Sequence, residues 1–279
     1  MTRPARRETF GAMRLLLAVV AGLALTPGAG RTDTLTVVTL NLWHDQQDWP
    51  RRRALIVAEL RSLRPDVICL QEVLQHETLR NQAHDLAESL GCRVNFVSVD
   101  PESSLKRYGN AILSRHPVLE THGKALAPPN DYRVVAHMRV DVRGRPVDVF
   151  DTHLHHTPEG AAIRAEQIRD LLAYVKSRRG TGAVVLAGDF NAPPKAPEME
   201  SVMKAFVDVF AATHRATETD TVTTLNPAKG LPSRRIDYVF VARKPSITPL
   251  SSEIVFDVPA ADGTWPSDHF GVVARLLTP

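Results

Sequence analysis

Leu186-Ala187-Gly188-Asp189-Phe190-Asn191 closes the apolar run Ala183-Val184-Val185-Leu186 and stands just before Pro193-Pro194. The run reads as a buried strand, and the prolines cannot extend it. Gly188 lets the backbone turn. Asp189 and Asn191, two apart on an extended chain, project to the same side. A carboxylate can take a proton or hold a metal, and an amide beside it can orient a nucleophile. Both residues are also common turn formers, so the surrounding chain has to decide between chemistry and geometry.

Working outward, Thr34 to Leu40 is β-branched and alternating, a strand that ends at Asn41. Pro50 opens a helix that carries Ile56, Leu60 and Leu63 at i, i+4, i+7 spacing. Val67 to Leu70 is the next strand and runs into Gln71-Glu72. A second helix is expected from about His76 to Leu90, closed by Gly91. Strands follow near 93–98 and 110–113, then a hairpin from Arg133 to Asp151 that turns at Arg143-Gly144. A helix from about Gly160 to Ser177 is expected to bury Ala165, Ile168, Leu172 and Val175. Beyond Asp189, a looser stretch leads to a strand at 235–241, and the last strand is Gly271 to Leu277. Strands and helices interleave with hairpins, and there is no repeat or linker, so one α/β domain with mixed sheets is expected.

The opening of the 279-residue chain differs from the rest. Arg3, Arg6, Arg7 and Arg14 precede the apolar run Leu15 to Leu25, followed by Pro27-Gly28-Ala29-Gly30. Basic, then apolar, then small is the order of a secretory signal, and the run is well short of the ~20 residues that span a bilayer. Residues 1–30 are therefore expected to be a signal peptide and residues 31–279 a catalytic domain, exported to the periplasm or the medium. The leader holds four of the 34 Lys/Arg and one of the 31 Asp/Glu, so it carries the net charge of +3. The remainder is neutral, and no global charge draws it to a polyanion. Export permits a disulfide between Cys69 and Cys92, but Cys69 sits in an apolar strand, where a buried free thiol is as good a reading.

Five polar stops line up at strand ends: Asn41, Glu72, His153, Asp189 with Asn191, and Asp268-His269. All but the last directly follow an apolar strand, and that pair directly precedes one. Packed strands would bring these ends into one cleft, holding carboxylates, amides and two imidazoles. Hard oxygen ligands of this kind suit Mg²⁺ or Mn²⁺. No cysteines stand at zinc-finger spacing, and no Walker loop, Gly-x-Ser-x-Gly or Gly-x-Gly-x-x-Gly occurs.

Together the segments Leu40-Asn41, Leu70-Gln71-Glu72-Val73, Tyr108 to Ser114, Thr152-His153-Leu154, Gly188 to Asn191, Arg235 to Tyr238 and Ser267-Asp268-His269 resemble the endonuclease/exonuclease/phosphatase superfamily, in its order and across nearly the whole chain. The resemblance implies a four-layer α/β/β/α sandwich of two packed mixed sheets, with the site at one edge. It makes Glu72 the principal metal ligand, with Asn41 and Asp268 beside it. Asp189 would orient or deprotonate the attacking water, and Asn191 would steady that water or the phosphate. His269 would contact the scissile phosphate, its tautomer held by Asp237. His153 would protonate the leaving oxygen or bind a phosphoryl oxygen.

The implied activity is Mg²⁺-dependent phosphodiester hydrolysis by in-line water attack, with a nuclease as the first reading. A phospholipid or a small phosphomonoester is the alternative substrate, and a secreted, non-catalytic binding module is the remote one. Nothing implies a stable protein partner, and a monomer is expected. His155 and His156 would offer a second metal position, or be ordinary surface histidines. Lys106, Arg107 and Arg234 would meet a phosphate or stay solvated.

Overall fold

Twelve strands form two six-stranded sheets in the computed structural model, which describes residues 1–2, 34–219, 221–245 and 247–278. The expected leader falls on residues 3–33 almost throughout, outside the described residues. The first sheet holds β1 (Thr34–Asn41), β2 (Val67–Gln75), β3 (Arg93–Ser98), β4 (Arg107–Ser114), β11 (Thr248–Val255) and β12 (Gly271–Leu277), in the order β11-β12-β1-β2-β4-β3. The second holds β5 (Val118–Ala125), β6 (Val134–Val142), β7 (Arg145–His153), β8 (Ala183–Asp189), β9 (Phe206–Asp208) and β10 (Asp237–Ala242), in the order β5-β6-β7-β8-β10-β9. Both sheets are mixed: β1–β2 and β7–β8 are parallel and the other pairs antiparallel.

Three apolar layers hold the sandwich together. Val37, Val67, Cys69 and Ile112 from one sheet meet Met138, Val149, Val185 and Val239 from the other. On the outer face of the first sheet, α1 (Trp49–Leu63) and α2 (Gln82–Leu90) bury Ile56, Leu60, Ala83 and Leu86 against Leu40, Ile68 and Leu70. On the far side of the second, α3 (Ala161–Arg178) seats Ile168, Leu171 and Val175 on Phe150, Val184 and Leu186. Each fully buried aliphatic side chain contributes roughly 1.5–3 kcal/mol. The layers are therefore helix, sheet, sheet, helix, as the motifs imply.

Local signals set the ends of the helices. Asp48 accepts from Arg51 N at the start of α1, which Pro50 favours, and Arg64 closes it in the left-handed conformation before Pro65. Two expectations shift. The second helix begins at Gln82, six residues later than its pattern suggested, because β2 runs on to Gln75 and His76 and Leu79 then exchange backbone hydrogen bonds; Asn81 is the cap. The buried stripe of α3 runs through Arg164, Gln167, Ile168, Leu171 and Val175, so Leu172 and Ala165 are only half-buried. Strands β5, β9 and β11 come in addition to the expected set. Both cysteines are free, Cys69 being buried. Among the described residues no helix is long and apolar enough to cross a membrane.

Candidate active site

Register places the site. In the second sheet, parallel pairing sets His153 opposite Asp189, and antiparallel pairing sets Asp189 opposite Asp237, so three adjacent strand ends present imidazole, carboxylate and carboxylate in a row. In the first sheet, Asn41 pairs with Gln71, which leaves Glu72 next in line. The β2–β4 ladder shifts register between Leu70 and Val73, and Glu72 sits at that irregularity with φ +56°. Asn191 turns at φ +50°. Asparagine tolerates that region; glutamate there is held by its surroundings, as functional residues often are.

The two rows meet across the sandwich. Asn41 Nδ2 donates to Asp189 Oδ2 at 3.1 Å, and Asn41 Oδ1 accepts from Trp43 N at 2.9 Å. Asp189 Oδ1 accepts from Asn191 N at 2.9 Å, while Asn191 Nδ2 donates to Leu154 O at 3.0 Å. Asp237 Oδ2 meets His269 Nδ1 at 3.0 Å, and Asp189 Oδ2 lies 3.8 Å from the same nitrogen. His153 Nε2 is 3.4 Å from Asp189 Oδ2. Ser267 ties the last loop in, with Oγ donating to Asn41 O at 2.7 Å and to Asp268 Oδ1 at 3.3 Å. All eight residues singled out in the sequence thus gather at one edge of the two sheets.

Burial and charge set their protonation. Burial would lower the His269 imidazole, but the Asp237, Asp189 and Asp268 carboxylates outweigh it and hold it up at about 10, hence protonated. Burial and the Asp237 charge push Asp189 up to about 7, against His269 and the Asn191 and Asn41 donors. Burial, with the Arg133 cation behind it, holds His153 well below the usual histidine range.

His44 and Arg52 are among the contributors that escaped the motif reading. His44 Nε2 pairs with Glu72 Oε2 at 2.7 Å, from a loop whose Trp43 and His44 also take positive φ. Arg52, fully buried in α1, holds that loop by donating to the carbonyls of Leu42 (2.7 Å), Trp43 (3.3 Å), His44 (2.8 Å) and Gln46 (2.9 Å), and reaches Pro266 O at 3.0 Å next to the Asp268 loop. Burial lowers its guanidinium to about 10, leaving it charged at neutral pH. The softer candidates mostly resolve as structure. Both ring nitrogens of His155 are engaged, by Asp131 at 2.7 Å and Thr157 at 2.9 Å, and Arg107 stacks on Phe96. Arg234 and His156 do line a cavity of about 550 Å³ that opens on Asn191, Asp268 and His269.

Two groupings could take a cation. Ligand atoms of Asp189, Asp237 and His269 lie within 4.8 Å of one another, and Asp237 Oδ1 is buried without a hydrogen-bond partner. Yet His269 Nδ1 is already committed to Asp237, and a protonated imidazole repels a metal. The Glu72, Asn41 and Asp268 corner offers hard oxygens instead. Asp268 is pushed up by burial and by the nearby Glu72 charge, a crowding of negative charge that a divalent ion would relieve. The donor set of this corner fits such an ion.

A two-sheet sandwich with carboxylates, amides and imidazoles gathered at one edge defines a class of protein. The chain belongs to the Endonuclease/Exonuclease/phosphatase family, whose profile matches residues 38–269. It is 29% identical to Nocturnin of Drosophila melanogaster over 83% of its own length and 42% of that protein's. Protein angel of the same organism is 25% identical, over 60% of this chain and 50% of the relative. The chain thus spans half or less of these relatives. Among solved structures, D. rerio TDP2 complexed with a single-strand DNA product superposes with TM-score 0.73 at 20% identity, over 88% of this chain and 99% of that one.

Proposed function

We propose that this protein is an exported, divalent-metal-dependent phosphodiesterase that cleaves nucleic acid by in-line attack of water. The observation that carries the reading is the meeting of Asp189, the His269–Asp237 pair and the Glu72, Asn41 and Asp268 corner at one sheet edge beside an open cavity. Glu72, with Asn41 and Asp268, would hold Mg²⁺ or Mn²⁺; when bound, that ion supplies positive charge against the phosphate oxygens and the developing negative charge.

The chain's own groups do the rest. Asp189, raised toward neutrality and fixed by Asn191 N–H and Asn41, orients the water and takes its proton. Asn191 steadies water or phosphate. Asp237 fixes Nδ1 of His269, which leaves the opposite nitrogen to donate to a phosphoryl oxygen. His153 supplies a second imidazole on the far side of Asp189. Nucleic acid is favoured over lipid because the single-strand DNA product bound by D. rerio TDP2 occupies a protein of the same fold. Export rests on the basic, apolar, small-residue order of residues 1–30.

The test is hydrolysis of plasmid DNA, RNA, sphingomyelin, a synthetic phosphodiester and a phosphomonoester by the mature protein, with Mg²⁺ and with EDTA. Metal-dependent cleavage of DNA or RNA supports the reading. Turnover of lipid or monoester alone replaces the substrate class, and silence on all five overturns the activity.

A further inference from the structure

Arg133 lies just ahead of β6 after Tyr132, which turns at φ +56°. Its side chain is almost fully buried and reaches three groups of the site. Nη1 lies 2.9 Å from His153 Nδ1 and donates to Tyr108 Oη at 3.2 Å, and Nη2 lies 3.3 Å from His156 Nδ1. The charge is balanced by Asp131, whose Oδ2 is 3.9 Å from Nε and accepts from Gln167 Nε2 at 2.6 Å. Guanidinium has five N–H donors and no acceptor. A nitrogen that meets it at hydrogen-bond distance must therefore be the acceptor. Nδ1 of His153, which Tyr108 Oη also approaches at 3.3 Å, is then the acceptor, and the ring proton belongs on Nε2.

We propose that Arg133 is a positioning residue that fixes His153 as the neutral Nε2–H tautomer, so that His153 serves as a hydrogen-bond donor to a phosphoryl oxygen and not as the acid for the leaving group. Nε2 is the nitrogen directed at the centre of the site, 3.4 Å from Asp189 Oδ2. Protonating Nδ1 to make an imidazolium would set N–H against N–H at 2.9 Å beside a buried cation. The only proton His153 carries is thus one it keeps. The identity of its acceptor rests on the phosphodiesterase reading, whereas the tautomer does not.

The experiment is a long-range ¹H–¹⁵N spectrum of the histidine rings in the full mature protein, wild type and Arg133→Met, Arg133→Lys. Wild type should show His153 with a bare Nδ1 and a protonated Nε2, unchanged across roughly pH 6 to 8. Adding Mg²⁺ with inorganic phosphate should move Nε2 and its proton and leave Nδ1 in place. In Arg133→Met the Nδ1–H tautomer should gain population, with kcat on the cleaved phosphodiester falling on the order of 10²-fold and KM and the Mg²⁺ requirement within a few fold. Arg133→Lys, which keeps a donor, should restore the wild-type tautomer and most of kcat. Should Arg133→Met not fold, the wild-type and Arg133→Lys spectra decide. A protonated Nδ1 in wild type overturns the proposal; so does an Arg133→Met protein with the wild-type tautomer, or with a switched tautomer and undiminished kcat. If no phosphodiester is cleaved but the tautomer is as stated, the activity has failed and the role of Arg133 in fixing the ring stands.

Discussion

Asn41 and Asp189 belong to different sheets, and the 3.1 Å bond from the amide of one to the carboxylate of the other joins the two halves of the site. Neither sheet holds the machinery alone. The first supplies the oxygen corner of Asn41, Glu72 and Asp268, and the second supplies His153, Asp189 and Asp237. His269 leaves the start of β12 in the first sheet and pairs with Asp237 in the second. A change that slides one sheet on the other by an ångström would part Asp189 from the Glu72, Asn41 and Asp268 corner without touching either.

His269→Ala should lower turnover on the order of 10²–10³-fold or more, since on the proposed mechanism it removes a protonated donor to the phosphate. Far-UV circular dichroism should stay as in wild type. Activity within a few fold of wild type would mean that the phosphate is held elsewhere.

Glu72→Gln should raise the Mg²⁺ concentration needed for half-maximal activity by about tenfold or more, and abolish most of the rise in Tm that Mg²⁺ gives wild type. Asp237→Asn should leave that Mg²⁺-linked rise in place. The reverse pattern would move the ion to the Asp189, Asp237 and His269 group.

Two buried carboxyls on β7 should titrate with opposite sign. Burial would raise Asp148, but hydrogen bonds from His137, the Gly180 N–H and Arg139 win and hold it low. Its stabilisation is therefore present above the unfolded value of about 4 and is lost as pH falls through the lower folded one. Asp151 is the converse case. Burial drives it well up, Gln71 Nε2 being one of the few groups that oppose this, and Oδ2 has no hydrogen-bond partner. A raised acid is destabilising as pH climbs above about 4 toward its folded value. Asp148→Asn should lower Tm by several degrees at neutral pH and by less in acid. Asp151→Asn should raise Tm by a few degrees at neutral pH, with the gain vanishing near pH 4. Parallel pH profiles for the two variants would contradict both assignments.

Arg52→Lys should cost about 3 kcal/mol in denaturant unfolding, because an ammonium has three donors for the five carbonyls the guanidinium now serves. Loss of activity should track loosening of the 42–46 loop. A variant as stable as wild type would show that the loop holds itself.

Strand ends were the legible part of the chain, because an apolar β-branched run that stops at Asn, Glu, His or Asp says where a sheet meets solvent. Strands with few apolar residues were not legible. β5 (Val118–Ala125) and the Pro- and Ser-bearing β11 (Thr248–Val255) are edges that bury little, so nothing in them has to alternate cleanly. His44 and Arg133 were hidden for another reason. Each meets the site through a residue distant in sequence, Glu72 for the first and His153 among others for the second, and no spacing rule marks such contacts. The left-handed backbone at Glu72 was equally silent, since nothing in Leu-Gln-Glu-Val marks a position of positive φ.

That backbone has a consequence for how such a protein changes over generations. A glutamate at φ +56° inside a strand is something the fold alone would replace, and glycine at that position would relieve roughly 1 kcal/mol or more. Selection for heat tolerance with no demand on the site should therefore reach position 72 early and trade the site for a sturdier shell. A lineage that keeps Glu72 advertises, by keeping it, that it is still using the site.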